Sequence, residues 1–161
     1  MIVELAELGQ LPRIQEIYAV AREYMKESGN PKQWVNGYPT KEMLLDDIKK
    51  QQLYVIKDGT EIVGAFVFII GDDATYARIE DGQWLNSNQY GTIHRIASDN
   101  KNHGIFTAAL DFCFGKISNI RIDTHADNKK MQGVILKNGF KYCGIIYVDD
   151  GSPRFAYQKQ L

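Results

Sequence analysis

Hydrophobic residues recur along the first part of the chain with a strand-like and then a helical spacing. Ile2 to Leu5 predicts a short strand. A helical face follows, with apolar or aromatic residues every three or four positions: Leu11, Ile14, Ile17, Tyr18, Ala21, Tyr24 and Met25. Pro12 suits the first turn of this helix, and Gly29-Asn30-Pro31 ends it.

The next part of the chain predicts a loop, a second helix and a hairpin. Residues 32–39 form the loop, and Thr40 is placed to cap a helix from Lys41 to Lys50. Two runs rich in β-branched and aromatic residues, 53–57 and 62–70, flank the hairpin turn Asp58-Gly59. Residues 71–89 form a connection longer than the roughly 12–15 residues usual in compact domains, and such connections are often functional.

From Thr92 onward, strand and helix patterns alternate. A strand over residues 92–98 is followed by a polar turn and a helix from Gly104 to Lys116. A strand over residues 120–124 leads to a helix that starts at Asn128, and strands follow at residues 141–148 and 153–159. The order β-α-α-β-β-β-α-β-α-β-β predicts a mixed sheet, antiparallel in its first half, with a parallel pair around the helix at Gly104.

Composition and charge narrow the class of protein. The 161 residues are 44% hydrophobic and 24% charged, as in ordinary soluble proteins, and predict one domain over residues 1–161. A net charge of −1 gives no basic field for nucleic acid or a membrane surface, and no run approaches the roughly 20 apolar residues of a membrane span. Glu4 and Glu7 interrupt any signal peptide. Cys113 and Cys143 form no CxxC pair, so a reducing cytoplasm is expected.

The turn that ends in Gly104 is a candidate anion site. A strand that enters a helix through a glycine turn leaves backbone N–H groups unpaired. With the positive end of the helix dipole, those groups suit a phosphate or pyrophosphate. The sequence therefore indicates a nucleotide-like cofactor. The turn lacks the Gly-Lys-Ser/Thr ending of a P-loop, which argues against a kinase or NTPase.

The element order, the glycine turn and the ending Asn138-Gly139-Phe140 together resemble the GNAT superfamily of N-acetyltransferases over nearly the whole chain. The resemblance implies an α/β (α+β) fold with a mixed, mostly antiparallel sheet of about seven strands flanked by about four helices. It also implies acetyl-CoA as acetyl donor, no metal, and direct acetyl transfer to a primary amine of a small molecule or peptide.

The resemblance assigns cofactor binding to the fourth strand and the loop after it. The family motif Arg/Gln-x-x-Gly-x-Gly/Ala matches Lys101-Asn102-His103-Gly104-Ile105-Phe106. Phe106 replaces the usual small residue, and the loop from Ser98 is a residue or two short. The implied cofactor-binding residues are Ile96, Ala97, Ser98, Lys101, Asn102, His103, Gly104, Ile105, Phe106, Thr107, Asn128 and Met131.

Acetyl transfer to an amine needs a base, an oxyanion donor and protonation of the leaving thiolate. His94 is the predicted base, because it lies on the strand that should flank the thioester and imidazole titrates in the useful range. A structural histidine is the alternative, and Glu80 and Asp81 are rival bases. A backbone N–H near Ile96 to Ser98 is the expected oxyanion donor.

Strict alternation along this strand groups its side chains by face. Thr92, His94 and Ile96 would share one face, and Ile93, Arg95 and Ala97 the other. A bulge would shift that register.

The family usually places a thiolate-protonating tyrosine four residues before the glycine of its Gly-Phe pair. That position holds Ile135 in this chain. Tyr90, Tyr142 and Tyr147 stay open as substitutes, with core packing as the alternative for each.

Two loops are expected to wall the acceptor pocket, because both lie over the acceptor groove in the GNAT arrangement. The predicted acceptor-binding residues are Trp34, Tyr38, Glu80 and Trp84. For the aromatic residues, packing into the core is the alternative.

Other functions stay open at this stage. A metal enzyme would use His94, Asp123, His125 and Glu80 as ligands, although no HExxH or tight cluster is present. A catalytically degenerate acyl-CoA-binding sensor or interaction module would account for Ile135 and Phe106. An exposed end of the sheet could pair two subunits as a homodimer, and neither nucleic acid nor membrane is an expected partner.

Overall fold

Seven strands form one sheet with four α-helices packed on its two faces in the computed structural model, which describes residues 1–161. The elements are β1 (Ile2–Leu5), α1 (Leu11–Glu27), α2 (Lys41–Lys49), β2 (Leu53–Asp58), β3 (Glu61–Ile70), β4 (Gly91–Ser98), α3 (Ile105–Phe114), β5 (Asn119–Thr124), α4 (Lys129–Lys137), β6 (Lys141–Tyr147) and β7 (Pro153–Gln160). Two 3-10 turns, Leu8–Gln10 and Ala74–Tyr76, complete the set.

The sheet order is β1-β2-β3-β4-β5-β7-β6, and β4–β5 is its one parallel pair. The predicted fold class, element order and parallel pair are therefore confirmed. The 3-10 turn within the connection 71–89 was missed, since its signal is only a short Asp-x-Thr sequence. No helix combines the length and the apolar character that a membrane span requires.

Each face of the sheet has its own hydrophobic core. Ile14, Ile17 and Leu44 from α1 and α2 pack with Val67 and other residues on one face. On the opposite face, α3 and α4 pack onto the sheet, with Ile135 of α4 fully buried. Burying one such aliphatic side chain contributes about 1.5–3 kcal/mol, so these two cores hold the helices onto the strands.

β4 and β5 separate soon after they begin. They are paired only at Gly91–Ile120 and Thr92–Arg121, although β4 continues to Ser98 and β5 to Thr124. β4 remains paired with β3 as far as Ser98. A wedge therefore opens beside the second half of β4.

A β-bulge lies in β4 at the start of this wedge. Val67 of β3 faces His94 and Ala65 faces Ala97, so β4 carries one extra residue in this interval. Arg95 has a φ of 51°, in the left-handed region that non-glycine residues rarely adopt.

The bulge corrects the prediction of strict alternation. Arg95 contacts α2 and Ala97 packs in the core of α1 and α2, on the side that His94 occupies. Ile96 instead packs with Ile93 in the core of α3 and α4. The extra residue shifts the pleat by one, so that His94 and Arg95 share a face although they are consecutive.

Candidate active site

A mainly apolar groove runs beside the open half of β4, between α1 and α4. We call it the central groove. Its lining residues are Ala21, Tyr24, Met25, Ser28, Ile96, Ala97, Ser98, Asn100, Ile105, Phe106, Asn128, Lys130, Met131 and Val134. The groove thus brings together many of the predicted cofactor-binding residues from β4, α3 and α4.

The backbone of β4 has free hydrogen-bonding groups along this groove. The amide of Asp99 donates to the carbonyl of Val63 on β3, at 2.9 Å. Because bonds to one antiparallel neighbour involve every second residue, the backbone groups of Ile96 and Ser98 point to the other side, where β5 has left. They are the groups that an extended amide-containing ligand could pair with.

Asp99 changes which loop amides are available to an anion. Its Oδ1 atom accepts bonds from the amides of Lys101 at 3.0 Å and Asn102 at 3.2 Å, and its Oδ2 atom accepts from Nδ2 of Asn102 at 2.8 Å. Burial opposes ionisation of Asp99, but these bonds lower its pKa below the usual value. Sequence reasoning missed this role, although Asp two residues before such a turn is a known turn-forming signal.

The first turn of α3 keeps its donors free. The amides of Ile105, Phe106 and Thr107 have no acceptor within the protein. Gly104 caps this turn with a φ of 82°, which is unstrained for glycine. An anion at this turn would therefore find free donors in the α3 amides, whereas the amides of Lys101 and Asn102 already donate to Asp99. His103, Gly104 and Thr107 line a second hollow on the β1 side of the same helix start.

Asn128 caps α4 and also lines the central groove. Its Oδ1 atom accepts from the amide of Met131 at 3.1 Å, so it caps α4. Its Nδ2 atom donates to Oε1 of Gln33 at 3.1 Å, which ties the loop after α1 to the start of α4. Asn128 also lines the central groove.

His94 forms a dyad with Asp73 from the long connection before β4. The distance between Nε2 of His94 and Oδ2 of Asp73 is 2.8 Å. The other carboxylate oxygen of Asp73 accepts from the amide and the hydroxyl of Thr75, at 2.9 and 2.6 Å. Burial opposes ionisation of Asp73, but the bonds from His94 and Thr75 outweigh it and lower the pKa of Asp73 to about 2. Asp73 is therefore a carboxylate at any physiological pH.

The dyad fixes the tautomer of the histidine. An ionised Asp73 accepts, so the hydrogen of a neutral His94 lies on Nε2 and the lone pair on Nδ1. Nδ1 has no protein partner. It is free to accept a proton.

Tyr76 and Asp123 complete this cluster. The Tyr76 ring lies 6.3 Å from the His94 ring, and its hydroxyl donates to Oδ2 of Asp123 at 2.6 Å. Asp123 follows the point where β5 leaves β4. Burial raises the pKa of Asp123, against the opposing effects of His94 and Tyr76. Asp73 and Tyr76 were not singled out from the sequence, because the contact with His94 crosses about 20 residues of irregular chain.

The predicted acceptor-binding residues lie in three different settings. Trp34 is 9% exposed and packs in the core with Tyr18 and Tyr38, which argues against its role as a pocket wall. The hydroxyl of Tyr38 accepts from Nη1 of Arg95 at 3.3 Å. Trp84 packs against Tyr76 with the ring planes tilted by 47° and donates to its carbonyl at 2.9 Å, so it supports the His94 cluster.

Glu80, the remaining predicted acceptor residue, is directed at β6. Its backbone pairs with Ile145, and its carboxylate accepts from the hydroxyl of Tyr147 at 2.9 Å and forms an ion pair with Arg78. The hydrogen bond from Tyr147 and then the one from Arg78 lower the pKa of Glu80. A carboxylate held in this way is a weak base, which favours His94 over Glu80.

No group of three or more His, Cys, Asp or Glu side chains is placed to hold a metal ion. His94, Asp123, His125 and Glu80 therefore do not assemble into the ligand set of the alternative metal-enzyme interpretation.

Solved structures with the same architecture identify the family. An acetyltransferase of the GNAT family from Streptococcus agalactiae superposes with a TM-score of 0.90 at 30% sequence identity, covering 99% of this chain and 95% of its own. The chain belongs to the GNAT family of acetyltransferases. The predicted GNAT membership is thus confirmed.

Two further GNAT-like structures agree with this assignment. A proposed acetyltransferase from Staphylococcus aureus is 26% identical with a TM-score of 0.70, covering 99% of each chain. A GNAT acetyltransferase from Listeria monocytogenes, 19% identical, supports the fold with a TM-score of 0.73 over 99% of this chain and 94% of its own. No protein-family model and no curated protein matches the sequence.

Proposed function

We propose that this GNAT acetyltransferase is one domain that transfers the acetyl group of acetyl-CoA directly to a primary amine of a small molecule or peptide. The observation that supports this most is the His94–Asp73 dyad, which lies where β4 departs from β5. His94 lies on β4 two residues before Ile96, the first residue of that strand to line the central groove, and a base oriented by a carboxylate there could serve an acceptor that enters beside the groove.

The residues present fit acetyl-CoA as donor. The free backbone groups of Ile96 and Ser98 would pair with the pantetheine arm, and the free amides at the start of α3 would receive the pyrophosphate. Asn128 and Met131 form the opposite wall. When bound, acetyl-CoA supplies an acetyl group activated as a thioester.

Side chains and backbone amides of this chain would then transfer protons and stabilise the charges that form. Nδ1 of His94 takes a proton from the acceptor ammonium, directly or through one water, because only the neutral amine attacks. Asp73 stabilises the imidazolium that results. The amide of Ile96 or Ser98 donates to the oxygen that becomes negative during attack.

Amine-dependent release of CoA tests the proposal. The purified protein would be mixed with acetyl-CoA and a panel of primary amines, amino acids and peptides, and free thiol would be followed. Release that depends on an amine, with acetylated amine in the product, supports the proposal. Thermal unfolding with acetyl-CoA is the companion measurement, since binding at a hundredfold excess over Kd adds about 2.7 kcal/mol.

A second candidate, an acyl-CoA-binding sensor, is favoured by two observations. Ile135 is fully buried where the family usually has its acid, and Asp99 occupies two of the loop amides expected to bind pyrophosphate. Stabilisation by acetyl-CoA without turnover of any amine would select this candidate. Absence of both effects would contradict the two candidates together.

A further inference from the structure

Acetyl transfer also needs a proton for the CoA thiolate, and the usual donor is missing. Ile135 is 0% exposed and packs in the core of α3 and α4, so no hydroxyl reaches the groove from that position. The need for another proton donor depends on the proposed function, because a thiolate leaves only if the reaction occurs.

Tyr24 is the one tyrosine that lines the central groove. It lies in α1, directly across the groove from Lys130 of α4, and the two side chains touch. Nζ of Lys130 donates to the Tyr24 hydroxyl at 2.9 Å and lies 4.4 Å from the ring centroid. The hydroxyl accepts this bond, and its own hydrogen has no acceptor within the protein. Tyr24 therefore keeps its proton available to a ligand.

The three tyrosines left open by the sequence have other uses. Tyr90 accepts from the amide of Asp73 at 2.8 Å and is buried. Tyr147 donates to Glu80 at 2.9 Å. Tyr142 is about half-exposed and packs edge-on against Phe155. None of the three lines the groove.

The distribution of charge in the groove also favours Tyr24 over the other tyrosines. Lys130 is the only charged side chain among the groove residues, and Tyr24 and Lys130 are its only titratable ones. An ammonium that bonds to a phenol oxygen stabilises the phenolate left after proton transfer. The remaining polar groups that line the groove, Ser28, Ser98, Asn100 and Asn128, are neutral.

We propose that Tyr24 is the general acid of this enzyme and that Lys130 stabilises its phenolate. As the carbon–sulfur bond of the thioester breaks, its electron pair goes to sulfur and the Tyr24 hydroxyl proton moves to that sulfur. The product is free CoA thiol, and Tyr24 regains a proton from solvent. The acid thus comes from α1, across the groove from the family's usual position in α4.

The variants Tyr24→Phe and Lys130→Met test this, with Tyr142→Phe as the matched control outside the groove. Initial rates would be measured at saturating amine and varied acetyl-CoA. Tyr24→Phe should lower kcat about 10²-fold, within the usual range for general acid catalysis, and should leave KM for acetyl-CoA near the wild-type value. Lys130→Met should lower kcat less. Tyr142→Phe should match the wild type.

Several results would overturn the assignment. A Tyr24→Phe enzyme with wild-type kcat but a raised KM for acetyl-CoA would show that Tyr24 only lines the groove and contributes to binding. Acetyl-CoA affinity by calorimetry and thermal unfolding of each variant separate these outcomes from a folding defect. If the wild type shows no amine-dependent release of CoA, the proposed function itself fails. If the Tyr24→Phe enzyme is fully active, only the assignment of Tyr24 as general acid fails.

Discussion

Nη2 of Arg95 lies 2.5 Å from Oδ2 of Asp47, and this ion pair joins the bulge of β4 to α2. The two side chains are only 14% and 4% exposed. The hydroxyl of Tyr18 also donates to the backbone carbonyl of Arg95 at 2.7 Å. A left-handed residue costs about 1–3 kcal/mol and persists only where its surroundings enforce it, so these contacts hold the bulge that sets His94.

Removal of one partner of this pair should destabilise the fold strongly. Asp47→Ala leaves the Arg95 guanidinium buried without its counter-charge, and the expected loss of unfolding free energy is about 3–5 kcal/mol. Urea denaturation measures it. Asp46→Ala is the control: its ion pair with Lys50 is more than half exposed, so about 0–1 kcal/mol is expected. Equal losses for the two variants would show that the buried pair does not hold the bulge.

His94→Gln tests the base. Glutamine keeps a hydrogen-bond donor for Asp73 but cannot accept a proton near neutral pH, so kcat should fall about 10²–10⁴-fold. KM for acetyl-CoA should stay near the wild-type value. His125→Gln is the control, because Nδ1 of His125 accepts from the nearby amide of Asp127 at 3.0 Å and His125 is not part of the His94–Asp73 dyad. A large fall in unfolding free energy with little change in kcat would make His94 a structural residue.

Asp73→Asn removes the charge behind His94 at nearly constant size. The carboxylate stabilises the imidazolium that forms when His94 takes a proton, so its loss should lower kcat about tenfold or more. Initial rates at saturating amine and varied acetyl-CoA measure the change. Asp72→Asn, an exposed neighbouring change, should leave kcat unaltered. An unaltered kcat for Asp73→Asn would contradict a catalytic role for the dyad and leave the acetyltransferase assignment intact.

Asp123→Asn should stabilise the protein at neutral pH. The pKa of Asp123 is raised in the folded state, so its charge opposes folding above that pKa, and the penalty disappears as pH falls to the unfolded value of about 3.9. Asparagine still accepts from Tyr76. Urea denaturation at pH 7 and pH 4 should show a gain for Asp123→Asn that shrinks on acidification. If Asp123→Asn is instead less stable than the wild type at pH 7, the contacts of the Asp123 carboxylate outweigh the cost of its burial.

Asp73→Asn should affect stability with the opposite sign. The pKa of Asp73 is lowered to about 2, so the carboxylate stabilises the folded state above the unfolded pKa of about 3.9. That contribution is lost as pH falls through about 2. The variant should therefore be less stable than the wild type at pH 7, with the two converging near pH 2. A constant difference over this range would assign the effect to packing instead.

Local patterns in the sequence were enough to predict the element order and the parallel pair of strands. The apolar spacing of Leu11 to Met25 specifies α1, and Thr40 caps α2 through the amide of Met43 at 3.2 Å. The Gly104 turn and Asn128 mark the starts of α3 and α4. Periodicity and caps depend on neighbours within a few residues, which is why the sequence by itself determined the GNAT-like fold and the elements that border the central groove.

Tertiary structure decided the chemistry of the site. The bulge at Arg95 is held by Asp47, 48 positions away, and it places His94 and Arg95 on one face. Asp73 reaches His94, and Tyr24 meets Lys130 across 106 positions. No periodic pattern encodes such contacts, because they depend on how separate elements pack and where β4 leaves β5. The sequence determined which elements form the groove, and packing alone determined which side chains meet in it.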